Sequence, residues 1–200
     1  MVYAAHYSNG GVVVDPHGET EIKRCYVIGE TAYTGFHGAN RLASNSGPEC
    51  ILFARRAANH FLSNSTDTSS LKIPVWKYGE AVESRDKITV DFYWDVIRRT
   101  MYTLCGMSRN KERLIAAKQL LVSLKKSINS YYWNYRVYKD FLEVRNIADI
   151  ASIIVDCALT REESRACHFR EDFPKTNNRD FLGLTTVRRT NKPIILNQKK

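Results

Sequence analysis

Between Gly29 and Cys50 the chain reads GETAYTGFHGANRLASNSGPEC, with four glycines, two asparagines, His37, a lone Arg41 and little apolar bulk. Glycines let a ligand approach the backbone closely. At the end of the stretch stands a helix-start signature, with Ser46 as N-cap, Pro48 in the first turn and Glu49 three residues after the cap. A helix N-terminus offers unpaired N–H groups and partial positive charge, which suit an anionic or electron-rich ligand. Neither a GxGxxG nor a GxxxxGK[ST] fingerprint occurs, so spacing alone fits a structural turn as well as a cofactor site. Arg41 carries the planar fork that grips a carboxylate in bidentate fashion; the alternative is an arginine paired with a local acid. His6 and His37 are the other polar candidates, although a lone histidine is ordinarily a hydrogen-bonded structural residue. Further on, EESRACHFREDFP packs both signs of charge around His168 and reads as a solvated salt-bridge network that ends a helix, with Pro174 as the stop.

The elements around these residues fall into two kinds. Residues 5–26 read as extended segments broken by turns: GGVVVD is a β-branched run and DPHGET a turn. CYVIGE follows as a short apolar strand stopped by Gly29, so the glycine-rich loop joins a strand to a helix. SNSTDTSS is a polar linker. From about Asp86 to Glu163 helical periodicity takes over, with Leu114, Ala117, Leu121, Leu124 and Ile128 on one stripe. DFLEVRNIADIASIIVDCAL is apolar on most sides and predicts a central, buried helix. The fold class is α+β: a partial strand–loop–helix segment followed by a helical bundle of three or four helices. The expected boundaries are residues 1–62 for the first region, 63–85 for a linker, 86–170 for the helical domain and 171–200 for a tail poorly ordered at its end. The front is too short to bury a sheet on both faces, which predicts a missing upstream portion.

The net charge of +9 is dispersed, as in a basic enzyme with solvated helix faces, and gives no nucleic-acid reading motif. A site for a dianionic substrate or phosphorylated cofactor fits it equally. Five widely spaced cysteines without a CxxC pair predict reduced, buried thiols, no metal site and a cytoplasmic location. No apolar stretch reaches the roughly 18 residues of a membrane span.

The stretch HGANRLASNS resembles the succinate dehydrogenase/fumarate reductase flavoprotein family, and the YTG before it and the AS within it are worded as in the family's L-aspartate oxidase branch. AAHYSNGGVVVD is similar to its HYxxGG substrate-loop motif and ESRACHFREDFP to its ESRGxHxRxDxP signature. YYWNYRVYKDFLEVRNIADIASIIVDCALTREESR looks like its helical C-terminal domain. The motifs stand in family order and cover nearly the whole chain.

The resemblance implies a cofactor, FAD, with Glu30 at its ribityl or ribose hydroxyls and Ser46 and Gly47 against the flavin at the helix start. It implies that Arg41 binds a substrate carboxylate and that His6 donates to another, as a four-carbon dicarboxylate requires. The implied reaction is oxidation of L-aspartate to iminoaspartate, with oxygen or fumarate as the final acceptor, feeding quinolinate and NAD synthesis. The implied partners are L-aspartate or another such dicarboxylate, a separate N-terminal half, and quinolinate synthase. The departures are as informative. The family's GxGxxG pyrophosphate fingerprint and its proton-transfer arginine have no counterpart here, the usual NSLLE reads NSGPE, and ESRG reads ESRA. Ala166 is tolerable there unless the position needs a positive φ. The chain therefore reads as a C-terminal portion that alone binds FAD weakly or not at all and does not turn over aspartate. Two alternatives remain: a fragment of a succinate dehydrogenase/fumarate reductase flavoprotein subunit, and a non-catalytic basic helical binding module.

Overall fold

The computed structural model describes residues 6–64, 72–83, 88–188 and 194–197, and the chain divides into two compact units, 1–74 and 75–200. Of the expected linker, residues 65–71 and 84–85 lie outside the described residues.

In the first unit a two-residue strand β1 (Val12–Val13) runs parallel to β2 (Ala32–Tyr33), with Val12 opposite Ala32 and Val13 opposite Tyr33. Between them the Asp15 carboxylate accepts the His17 and Glu19 N–H groups, at 2.8 and 2.9 Å, and fixes the DPHG turn. The glycine pair is there for closeness: a Cβ on Gly11 would sit 2.3 Å from the Thr31 carbonyl oxygen. CYVIGE forms no strand. It contributes one antiparallel bridge, Glu19 to Tyr26, and its end winds into a 3-10 turn at Gly29–Thr31 made possible by a φ of 71° at Gly29. Helix α1 (Ser46–Ser63) follows and packs against that turn. Its N-cap is Asn45 rather than Ser46, and the Asn45 side chain makes no capping bond. The Glu49 carboxylate does not reach back to the cap either; it is buried and used elsewhere.

The second unit is a bundle of α2 (Ile88–Leu104), α3 (Lys111–Asn134) and α4 (Lys139–Thr160). Helix α3 starts on Asn110, whose side chain accepts the Arg113 N–H at 2.9 Å. The expected stripe is its buried face: Leu114, Ala117, Leu121 and Ile128 are enclosed and Leu124 packs against them. Opposite them α4 turns Phe141, Val144, Ala148, Ala151, Val155 and Ala158 inward at alternating steps of three and four. Each fully buried large aliphatic or aromatic side chain contributes about 1.5–3 kcal/mol. The expectation of a central, buried helix holds for that face only: Ile150, Ile153 and Ile154 are 56, 41 and 41% exposed. No helix among the described residues is long and apolar enough to cross a membrane.

The segment after α4 also departs from expectation. A solvated salt-bridge network would leave EESRACHFREDFP open to water, yet Glu163 and Arg170 are both 0% exposed. Charges buried this deeply persist only when fully paired, and these are. Glu163 accepts from Arg161, from Arg165 Nε at 2.8 Å and from the Asn177 N–H at 2.8 Å. Arg170 donates to the Ala158 carbonyl at 2.7 Å and so closes the open end of α4. A short β3 (Ser108–Arg109) lies parallel to β4 (Phe169–Arg170). In the tail a helical turn α5 (Asn178–Phe181) leads to β5 (Gly183–Thr186), paired antiparallel with β6 (Ile194–Asn197). Arg161 ties it down through the Phe181 and Gly183 carbonyls, at 3.0 and 2.6 Å. Lys199 and Lys200 lie outside the described residues.

Candidate functional site

The glycine-rich loop of the first unit gathers a compact set of polar groups. Arg41 Nη1 donates to the Ser46 hydroxyl at 2.7 Å, across the turn that opens α1. The Arg41 guanidinium carbon stands 4.3 Å from the centre of the Tyr7 ring, a cation–π distance. Tyr7 belongs to the segment before β1, so the loop and the chain's front meet at this pair. Among the described residues Arg41 has no acidic partner. The pairing with a local acid does not form, and the fork is held by a hydroxyl and a π face, both neutral.

Behind Tyr7 lies a second layer. The Tyr7 hydroxyl stands 3.4 Å from His37 Nε2, and the same nitrogen is 2.7 Å from the Glu49 carboxylate. His37 and Glu49 keep only 8 and 2% of their side-chain surface exposed. Thr34 donates its hydroxyl to the other Glu49 oxygen. In the tautomer with the proton on Nε2, that N–H donates to Glu49 and the Tyr7 oxygen accepts a share of it. Burial, with help from the nearby Glu49 and Glu30 carboxylates, raises the Tyr7 phenol above its ordinary value and keeps it neutral.

The remaining residues named from the sequence lie around this cluster. Glu30 is exposed on its 3-10 turn and accepts the Ser8 N–H at 2.8 Å, a bond that leaves a carboxylate with further acceptor capacity. Ser46 and Gly47 form the first turn of α1, and a Cβ on Gly47 would meet nothing within 4 Å. Pro48 supplies no N–H, so the free amides there are those of Ser46 and Gly47. His6 is exposed, directly before Tyr7, with no hydrogen bond to Arg41 among the described residues. Sequence reasoning missed Tyr7 altogether and took Glu49 for a capping residue. The available signal was position: Tyr7 adjoins His6, and Glu49 follows a proline that cannot itself satisfy a cap.

Two buried side-chain atoms in this unit, Asn9 Oδ1 and His37 Nδ1, lack a hydrogen-bond partner. Buried polar atoms are rarely left so. With an exposed carboxylate at Glu30, an open space over Gly47 and two free helix amides, they suit a bound group rich in hydroxyls and ring nitrogens. FAD is such a group. The described residues include no cluster of His, Cys, Asp and Glu able to hold a metal; all five cysteines are free thiols, and the expectation that they are buried is corrected for Cys25, Cys50 and Cys167, which are exposed.

Comparison with known proteins adds the context. Residues 95–199 match the family described as fumarate reductase flavoprotein C-term, and residues 1–46 match an FAD binding domain. The chain is 45% identical over 177 residues to L-aspartate oxidase 1 of Ralstonia nicotianae, covering 88% of this chain and 33% of that protein. It is 41% identical to the L-aspartate oxidase of Pseudomonas aeruginosa, with 87 and 32% covered. A chloroplastic L-aspartate oxidase of Oryza sativa is 37% identical, with 87 and 29% covered. The chain thus spans about a third of the length of these relatives. Among solved structures, a variant of the quinol fumarate reductase flavoprotein of E. coli superposes with a TM-score of 0.70 at 22% identity, over 96% of this chain and 36% of that one. The Sdh1 complex of Mycobacterium smegmatis follows at 0.64 and 24%, over 88 and 32%. Both similarities are of fold.

Proposed function

Because the chain belongs to the fumarate reductase flavoprotein family and its cofactor is FAD, we propose that it forms the C-terminal portion of an L-aspartate oxidase, a cytoplasmic enzyme that oxidises L-aspartate to iminoaspartate. The observation that carries this reading is Arg41: a guanidinium held by Ser46 and Tyr7 with no acidic partner among the described residues. A fork left in that state suits an incoming carboxylate, in the bidentate pairing that neither a lysine nor a neutral donor reproduces. The three curated relatives compared above are L-aspartate oxidases and support aspartate as the amino acid whose carboxylate it takes.

When bound, FAD supplies the two-electron oxidation. The chain's own residues bind and orient. Glu30 accepts from cofactor hydroxyls, and the Ser46 and Gly47 amides face negative charge at the start of α1. Arg41 fixes one carboxylate of the substrate, and His6, from the neighbouring segment, donates to the other. Two anchors on a short dicarboxylate leave its α-carbon a single orientation, which is the contribution of positioning to the rate. The product is an imine that water hydrolyses, so an enzyme that consumes it, quinolinate synthase in the route to NAD, is the proposed downstream partner. The pyrophosphate fingerprint is not among these 200 residues, and the isolated chain is proposed to bind FAD weakly and to lack activity until an N-terminal FAD-binding portion joins it.

The test is a chimera in which these residues replace the matching third of the Ralstonia relative. It should bind flavin, seen as absorbance in the visible, and produce aspartate-dependent peroxide, while the 200-residue chain alone stays colourless and inactive. A chimera that folds and binds flavin yet ignores aspartate overturns the reading.

A further inference from the structure

His37 and Glu49 are the most deeply buried ionisable pair in the first unit's loop, and the dicarboxylate-binding roles above make no use of them. Their contacts lead to Arg41 in unbroken order: Thr34 to Glu49, Glu49 to His37 at 2.7 Å, His37 to the Tyr7 hydroxyl at 3.4 Å, and the Tyr7 ring to the guanidinium at 4.3 Å. Each link constrains the next. Glu49, anchored on α1 and gripped by Thr34, sets the plane of the imidazole. The imidazole N–H, shared between Glu49 and the Tyr7 oxygen, sets the tilt of the phenol ring. The ring face and the Ser46 hydroxyl then hold the guanidinium from two sides. An arginine side chain has several rotatable bonds and loses substantial entropy when fixed, so a site that fixes it in advance binds more tightly. A buried carboxylate and imidazole are also costly to desolvate, and burial at this position serves local geometry rather than a large apolar core.

We propose that Glu49 and His37 are positioning residues of the substrate site, holding the Tyr7 ring so that it presents the Arg41 fork to a carboxylate. This rests on the reading of Arg41 as a carboxylate-binding residue. The order of the chain matters: neither His37 nor Glu49 touches the substrate, and both act through Tyr7. Arg41 is therefore ordered before substrate arrives, and its order depends on a pair of residues in the layer behind it.

The experiment uses the full chain labelled with nitrogen isotope, follows the Arg41 Nε–H signal by NMR, and titrates succinate as a dicarboxylate probe. The expected result is a sharp Arg41 signal that succinate shifts, with the shift abolished in Arg41→Gln. In His37→Leu and Glu49→Gln the signal broadens and succinate affinity falls by about fivefold, the scale of one lost hydrogen bond. His37→Gln, which restores an N–H donor toward Glu49, recovers affinity to within about twofold of the original. Space-filling alone does not predict that difference between leucine and glutamine. Tyr7→Phe keeps the ring and cuts only the hydroxyl link, so it tests the same chain of contacts should His37→Leu fail to fold, with the thermal midpoint as the check. If Arg41→Gln leaves the succinate response intact, the reading of Arg41 fails and this proposal with it. If succinate needs Arg41 but His37→Leu, Glu49→Gln and Tyr7→Phe leave its affinity and the Arg41 signal unchanged, only the positioning proposal is overturned. In a chain that shows no succinate response at all, an Arg41 signal that stays sharp in these variants overturns it equally.

Discussion

Arg170 and Asp172 meet through two parallel hydrogen bonds, Nε to Oδ1 at 2.8 Å and Nη2 to Oδ2 at 2.7 Å, with the arginine wholly buried and the aspartate partly open. The same guanidinium caps the last turn of α4, so the pair joins the helical bundle to the segment that follows it. Asp172→Asn leaves that buried cation without its counter-charge. Unfolding in urea should show a loss of about 3 kcal/mol, the scale seen when one partner of a buried pair is removed; a loss below about 0.5 kcal/mol, as for an ordinary surface site, counts against this account.

The same pair sets a dependence on pH. The hydrogen bonds from Arg170 lower the Asp172 carboxyl to about 2, well beneath its ordinary value. Its folded pKa lies below its unfolded one, so the stabilisation is present above about pH 4 and is lost as pH falls toward 2. Urea midpoints measured across that window should decline more steeply in the natural chain than in Asp172→Asn.

Ala166 adopts a φ of 48°, in the left-handed region that costs a residue with a Cβ about 1 kcal/mol. The family's glycine at this place therefore answers a real backbone requirement, and the departure from ESRG carries strain. Ala166→Gly should raise stability by up to about 1 kcal/mol, less the entropy glycine adds to the unfolded chain. Differential scanning calorimetry of the pair of chains would register it.

Arg41→Lys keeps the charge and removes the fork. In the chimera with the Ralstonia relative, the KM for aspartate should rise by about ten- to a hundredfold, the range for losing a charged hydrogen bond. Flavin absorbance should stay unchanged, because Arg41 is assigned to the substrate and not to the cofactor.

Cysteine reactivity offers a check on packing in both units. Cys25, Cys50 and Cys167 are exposed, Cys105 is buried, and burial pushes the Cys157 thiol up to about 11. A colorimetric thiol reagent at pH 8 should therefore titrate three thiols quickly, and the other two only on unfolding.

Periodicity made the bundle legible. The stripe from Leu114 to Ile128 is buried as its spacing requires, because helix packing obeys the same three-and-four repeat the sequence displays. Apolar content, in contrast, misled at α4: Ile150, Ile153 and Ile154 are apolar yet outward, since composition says nothing of which face meets a neighbour. Charge misled in the opposite direction at Glu163 and Arg170, whose burial depends on partners brought in from residues 158–177 and invisible to local reading. At the candidate site the lone Arg41 stood out because few charges surround it. Tyr7 and Glu49 did not, because the contact linking them through His37 spans 42 positions of chain.

Gly11 carries a consequence for how this site can fail. With the Thr31 carbonyl so close that no Cβ fits at position 11, the segment bearing His6, Tyr7 and Ser8 is held beside the turn bearing Glu30. A side chain at position 11 should push the two apart, drawing Tyr7 from the arginine loop and Ser8 from Glu30. The proposed substrate contacts and the proposed cofactor contact should therefore weaken together, and a defect in one of them alone points to a lesion somewhere else.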